Sequence, residues 1–112
     1  MVRVNLINPG KLTDQHLIAE YNEILMLIGY VRRYPKKEGI PSEYTLGKGH
    51  MKFFKDKLLY LKKRHELLKK EMKKRGFKGN MKIGLESFSN KLKKDYKPKK
   101  KDFDIINERI NF

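Results

Sequence analysis

A chain of 112 residues, 38% of them apolar, is long enough for one domain with a modest core and too short for a second module. Its net charge of +15, from 28 basic against 13 acidic residues, is self-repulsion that a polyanionic partner relieves, so nucleic acid is the first expectation and a solvated lysine-rich surface the plainer one. Cysteine is absent, which excludes disulfides, thiolate nucleophiles and cysteine-ligated zinc; His16, His50 and His65 lack tight metal-ligand spacing, and neither a metal nor a small-molecule cofactor is expected.

No stretch approaches the roughly 18 to 20 apolar residues of a membrane span, and the polar start MVRVNLINPGK lacks the apolar centre of a signal peptide. A soluble protein without membrane association is expected, acting in the cytoplasm. Residues 1 to 12 read as an extended lead with a turn at Asn8-Pro9-Gly10. Thr13 is then suited to cap a helix with Asp14 in its first turn. Leu17, Tyr21, Ile24 and Ile28 repeat at helical spacing, Ile18 and Leu25 widen the stripe, and the pattern runs to about Arg33 before Pro35 ends it.

Residues 34 to 49 carry two prolines and three glycines and read as a loop. A second helix is predicted from about His50 to Arg75. Phe54, Leu58, Leu61, Leu68 and Met72 line its buried face, Lys55, Lys62, Lys69 and Lys73 a solvated flank, and Gly76 stands where a C-terminal cap belongs. His65 falls inside that stripe and reads as a packed histidine. Residues 77 to 101 have weak periodicity and end in KLKKDYKPKKK, a phosphate-facing loop or mobile basic strap. Phe103, Ile106 and Ile110 are spaced for a short last helix. The expected fold is all-α: a compact single domain, residues 1 to 112, of three helices with long loops.

At 100° per residue, His16, Glu20, Glu23 and Leu27 share one arc of the first helix, beside but outside the core stripe. An imidazole and carboxylates on one face can do acid–base work, although spacing of this kind usually marks solvated surface.

These residues resemble those of the pyrimidine dimer DNA glycosylase/AP lyase family. Arg3-Val4-Asn5-Leu6 is similar to its opening R-(I/V)-N-L, and Leu12 to Glu23, LTDQHLIAEYNE, to its L-A-D-Q-H-L-x-A-E-Y-R-E at the same distance from the start. Leu46-Gly47-Lys48-Gly49-His50-Met51-Lys52-Phe53-Phe54 and Asp56-Lys57-Leu58 resemble L-G-x-G-H-V-x-F-F followed by D-K-L. Lys74-Arg75-Gly76-Phe77 and Asp95-Tyr96-Lys97-Pro98 match K-R-G-F and D-Y-x-P, so the resemblance covers nearly the whole chain.

The resemblance implies an N-terminal segment packed between helices and a base-excision repair enzyme acting as a monomer on damaged double-stranded DNA, in a prokaryotic or viral setting. Its nucleophile would be the α-amine of Val2 after removal of Met1, forming a Schiff base with the deoxyribose of a pyrimidine dimer or an abasic site, followed by β-elimination. The choice of an α-amine has a physical reason. With a pKa near 7.7 to 8.0, about a third of it is neutral at mildly alkaline pH, against about a thousandth of a lysine near 10.4. Glu23 would be the essential carboxylate. His16 and Arg3 would hold sugar or phosphate, and Arg109 on the last helix would touch DNA near the amine.

Asn22 and Met26 stand where the family carries two arginines that grip kinked DNA, and Leu25 replaces a proline. The sequence reaches only Phe112, just past the last helix, where the family continues into an aromatic and basic tail. Reduced dimer specificity is therefore expected, with the lysines at 91 to 101 supplying non-directional backbone affinity. A lyase for another lesion, a DNA-binding module that has lost catalysis, and an RNA-associated basic protein remain the alternatives.

Overall fold

The computed structural model describes residues 4–35, 39–41, 43–44 and 49–110, with side chains through Glu108. Among these residues there are four helices and no strand: α1 (Asp14–Arg33), α2 (His50–Phe53), α3 (Leu58–Lys74) and α4 (Lys100–Ile110). The all-α expectation holds, with one helix more than the sequence predicts.

Helix α1 starts and stops where its sequence says. The Thr13 hydroxyl accepts the His16 N–H at 3.2 Å, satisfying one of the orphan donors of the first turn. At the far end the Tyr34 N–H closes on the Tyr30 carbonyl before Pro35. Its buried face differs from the predicted one. Leu17, Tyr21, Ile24 and Ile28 are buried, but Ile18 and Leu25 are only half-buried, and Glu20, Leu27 and Val31 are buried in their stead. The lead packs on the Glu20 side, where the Asn5 N–H reaches the Glu20 carboxylate, and so turns the core towards it. Glu20 and Leu27, expected outside the core, are fully covered.

The predicted second helix is broken in two. After α2 the chain makes a tight turn over Phe54–Asp56, and Lys57 leaves helical geometry at φ −120°, ψ 41°. The cause is remote in sequence. Lys94 donates its N–H to the Asp56 carbonyl and accepts the Tyr60 N–H on its own carbonyl, so the 91–94 segment replaces one helical hydrogen bond with two of its own. Lys57 and Lys93 pair there as an isolated antiparallel bridge. Lys55, expected on the solvated flank, is buried in this turn, its ammonium 5.7 Å from the Tyr30 ring centre.

Helix α3 packs along α1 through Leu58, Leu61, His65, Leu68 and Met72. It ends as predicted at Gly76, whose φ of 86° is the left-handed conformation glycine adopts freely. The Phe77 N–H then bonds the Met72 carbonyl at 2.8 Å and the Gly76 N–H the Lys73 carbonyl at 3.1 Å, a Schellman closure. Beyond it, Ile83, Leu85, Phe88 and Leu92 enter the core one at a time, which is why no period announces them. Helix α4 begins at Lys100, three residues before the first expected apolar position. The Asp102 carboxylate starts it, accepting the Lys99 N–H at 2.9 Å and a short hydrogen bond from the Tyr96 hydroxyl. Ile106 is its fully buried anchor.

Candidate active site

The lead is the least ordinary part of the molecule. Val4, Asn5, Leu6 and Ile7 are all buried, although they precede every regular element. A buried stretch outside helices and sheets must find partners for its amides elsewhere. Here side chains supply them. The Val4 N–H donates to His50 Nε2 at 2.8 Å, and the Tyr44 hydroxyl donates to the Val4 carbonyl at 2.9 Å. The Asn5 N–H donates to Glu20 Oε1 at 3.2 Å, and Arg64 Nη1 gives a short hydrogen bond to the Ile7 carbonyl.

Glu20 and Arg64 also bind each other across α1 and α3. Arg64 Nε lies 2.6 Å from Glu20 Oε2 and Nη2 3.1 Å from Oε1, with both side chains almost wholly buried. Burial works against the charge on Arg64, but the Glu20 carboxylate outweighs it and holds the guanidinium above its usual pKa. Between these anchors Leu6 sits at φ 64°, and the Ile7 N–H bonds back to the Asn5 carbonyl at 2.7 Å, making a strained three-residue turn. A left-handed leucine persists only where surroundings over-determine it, and such positions cluster at functional sites. The lead is thus bent at Leu6 rather than simply extended.

One turn beyond Glu20 on the same side of α1 stands Glu23, half-buried. His16 lies two turns before Glu23, exposed, its Nδ1 2.9 Å from the Thr13 hydroxyl, so its ring is held by the helix cap. Asn22 is exposed and donates its amide to the Ile18 carbonyl at 3.2 Å; Met26 is 60% exposed. Helix α4 approaches the lead from outside, and Ile7, Asn8, Lys11, Phe103 and Asn107 line a hollow of about 740 Å³ between them. Arg109 follows Asn107 by two residues on that helix, its side chain outside the described residues; Val2 and Arg3 also lie outside them.

Residues 1–84 match the family described as pyrimidine dimer DNA glycosylase. The chain belongs to that family. The stretch shared with these glycosylases takes in α1 to α3, Glu23 and the four residues that clamp the lead, Glu20, Tyr44, His50 and Arg64, and stops before the lysine run at 91–101 and α4.

The clamp is what sequence reading missed. Glu20 and His50 lie within the glycosylase-like segments; spacing puts Glu20 on the arc of His16 and Glu23 but says nothing of a buried partner, and it gives His50 no role. Arg64 carried a usable signal, since it falls three residues after Leu61 and four before Leu68 on the apolar face, where a charge needs a buried partner. Tyr44 carried none. His65 is a packed residue as expected: it stacks on Tyr21 at 4.6 Å, neither ring nitrogen has a hydrogen-bond partner among the described residues, and burial pushes its pKa down. Among the described residues no group of His, Asp and Glu could hold a metal ion, and no helix is long and apolar enough to cross a membrane.

Proposed function

We propose that this chain is a damage-specific DNA glycosylase with AP lyase activity whose nucleophile is the α-amine of Val2, exposed by removal of Met1. The observation that supports it best is the clamp: backbone groups of Val4, Asn5 and Ile7 are tied to buried side chains, one of them Glu20, a single turn before Glu23 on α1. Two residues of chain reach at most about 7 Å, so the Val2 nitrogen cannot stray farther than that from the Val4 nitrogen. A terminus tethered so closely to a buried, hydrogen-bonded residue suits a reacting group.

In this reading the neutral amine attacks C1′ of the damaged nucleotide and the base departs with the glycosidic electron pair. The carboxylate of Glu23 stabilises the cationic sugar in the transition state. It then carries protons as the C1′–O4′ bond opens to leave an imine at C1′, or, at an abasic site, as the carbinolamine formed on the C1′ aldehyde loses water to the same imine, and as a C2′ proton is removed, expelling the 3′ phosphate. His16 and Arg3 hold the sugar–phosphate on either side, and Arg109 and the lysines of 91–101 bind backbone phosphates. Asn22 and Met26, both exposed beside Glu23, offer no bidentate grip on a kinked strand, so abasic sites are cut more readily than pyrimidine dimers are excised.

The test is incubation with an abasic-site duplex, with and without borohydride. A lyase yields a β-elimination product and, with borohydride, a covalent protein–DNA complex. Tight binding with neither product would instead identify a DNA-binding module that has lost catalysis.

A further inference from the structure

We propose that His50 and Tyr44 are positioning residues for the terminal amine, acting through Val4. This rests on the reading of Val2 as nucleophile and goes beyond it, because neither residue touches the reacting atoms. Among the described residues of the buried stretch Val4 to Ile7, only Val4 has both backbone groups held by side chains: its N–H by His50 Nε2 at 2.8 Å and its carbonyl by the Tyr44 hydroxyl at 2.9 Å. A residue held at both ends of its peptide units cannot rotate about φ or ψ without breaking a bond. Only Arg3 separates it from Val2.

The two side chains are themselves fixed. His50 and Tyr44 are 3% exposed, and their rings meet edge-on at 5.4 Å. Phe54 closes on the His50 ring at 5.4 Å and Phe53 on the Tyr44 ring at 5.8 Å. Because the bond to Val4 comes from an amide N–H, Nε2 must be the bare nitrogen of a neutral imidazole. An acceptor locked in one tautomer inside an aromatic wall is directional, as a water or a solvated carboxylate is not. A buried amide needs a partner in any case, and a less directional one would meet that need. What this arrangement adds is a fixed origin, one residue away, for the amine and its approach to the sugar.

The experiment measures single-turnover trapping by borohydride on a saturating abasic duplex, together with duplex Kd and thermal melting. The variants are His50→Leu, His50→Gln and Tyr44→Phe, with Met72→Ala as a control that empties a buried site away from the lead. His50→Leu is expected to slow trapping about a hundredfold with Kd changed by less than about threefold. Glutamine places a carbonyl oxygen where Nε2 was, and should recover most of that rate. Tyr44→Phe loses one hydroxyl and should slow trapping about fivefold to tenfold, while Met72→Ala melts lower but traps at the wild-type rate. Equal rates for His50→Leu and wild type would overturn the proposal, as would a glutamine variant no faster than leucine. If His50→Leu does not fold, Tyr44→Phe and His50→Gln decide: a full rate in Tyr44→Phe defeats positioning. A wild-type protein that yields no adduct defeats the amine reading itself, a separate outcome.

Discussion

Two regions of the molecule, the buried surroundings of the lead and the exposed polar surface, are built on different principles. Towards the lead, Glu20, Arg64, His50 and Tyr44 are buried, and each makes a short, directed bond to one backbone atom or to another of the four. On the surface, Asn22 and Met26 of α1 are exposed, and elsewhere in the fold so are Lys91, Lys94, Lys97, Lys99, Lys100 and Lys101, on a loop and the start of α4. The first region tolerates little change, because each partner removed strands another in low dielectric. The second tolerates much, since phosphate attraction depends on the number of charges more than on their geometry. In the proposed reading, chemistry belongs to the built region and affinity to the distributed one, and the predictions probe that division.

The largest effect is expected at Glu23, half-buried one turn beyond Glu20. Glu23→Gln should lower glycosylase and lyase turnover by about 10² to 10⁴ while DNA binding stays intact or tightens, because one negative charge leaves a phosphate-facing surface. Turnover and gel-shift affinity measured together check it. A drop in melting temperature in place of this pattern would make Glu23 a structural residue.

Glu20→Ala should act in the opposite way. It strands Arg64 as a buried charge and frees the Asn5 amide, at a cost of about 3–5 kcal/mol, so a fall of at least about 10 °C in melting temperature is expected. The double change Glu20→Leu with Arg64→Met should recover much of that, as apolar replacements of buried ion pairs often do. Its trapping rate should stay low, because the tie to Asn5 is gone. A double variant both stable and fast would show that the clamp is packing alone.

On the exposed side, Asn22→Arg with Met26→Arg should improve dimer excision severalfold, about 1 kcal/mol of added backbone grip, and abasic cleavage less. Side-by-side single-turnover assays on the two duplexes decide this. Smaller still are the lysines. Changing Lys91, Lys94 and Lys97 to glutamine one at a time should weaken binding modestly and reduce the log–log salt slope by about 0.9 for each that meets a phosphate. Titrations at several salt concentrations give the slope, and an unchanged slope in all three would remove this run from the interface.

The same division explains what the sequence revealed. Helix α1, its Thr13 cap, the Gly76 closure and the apolar stripe of α3 are local patterns, and they stand where local rules put them. The break between α2 and α3 was not legible, because Lys94, more than 30 residues away, supplies the hydrogen bonds that cause it. Nor was the burial of Glu20, whose partners come from the lead and from α3. Glu23 could be picked out by its place in a family-like segment, but the side chains that tether the lead come from three separate stretches. Only the fold assembles them.

The central claim is that the α-amine of Val2, held by the clamp, is the nucleophile in a chain with 22 lysines to compete with it. Its most direct test is proteolytic mapping of the borohydride-reduced adduct on abasic DNA. The account predicts the deoxyribose remnant on the N-terminal peptide, attached to the Val2 nitrogen, and loss of the adduct when one residue is added before Val2. An adduct on any lysine side chain, or full trapping by the extended chain, would contradict it.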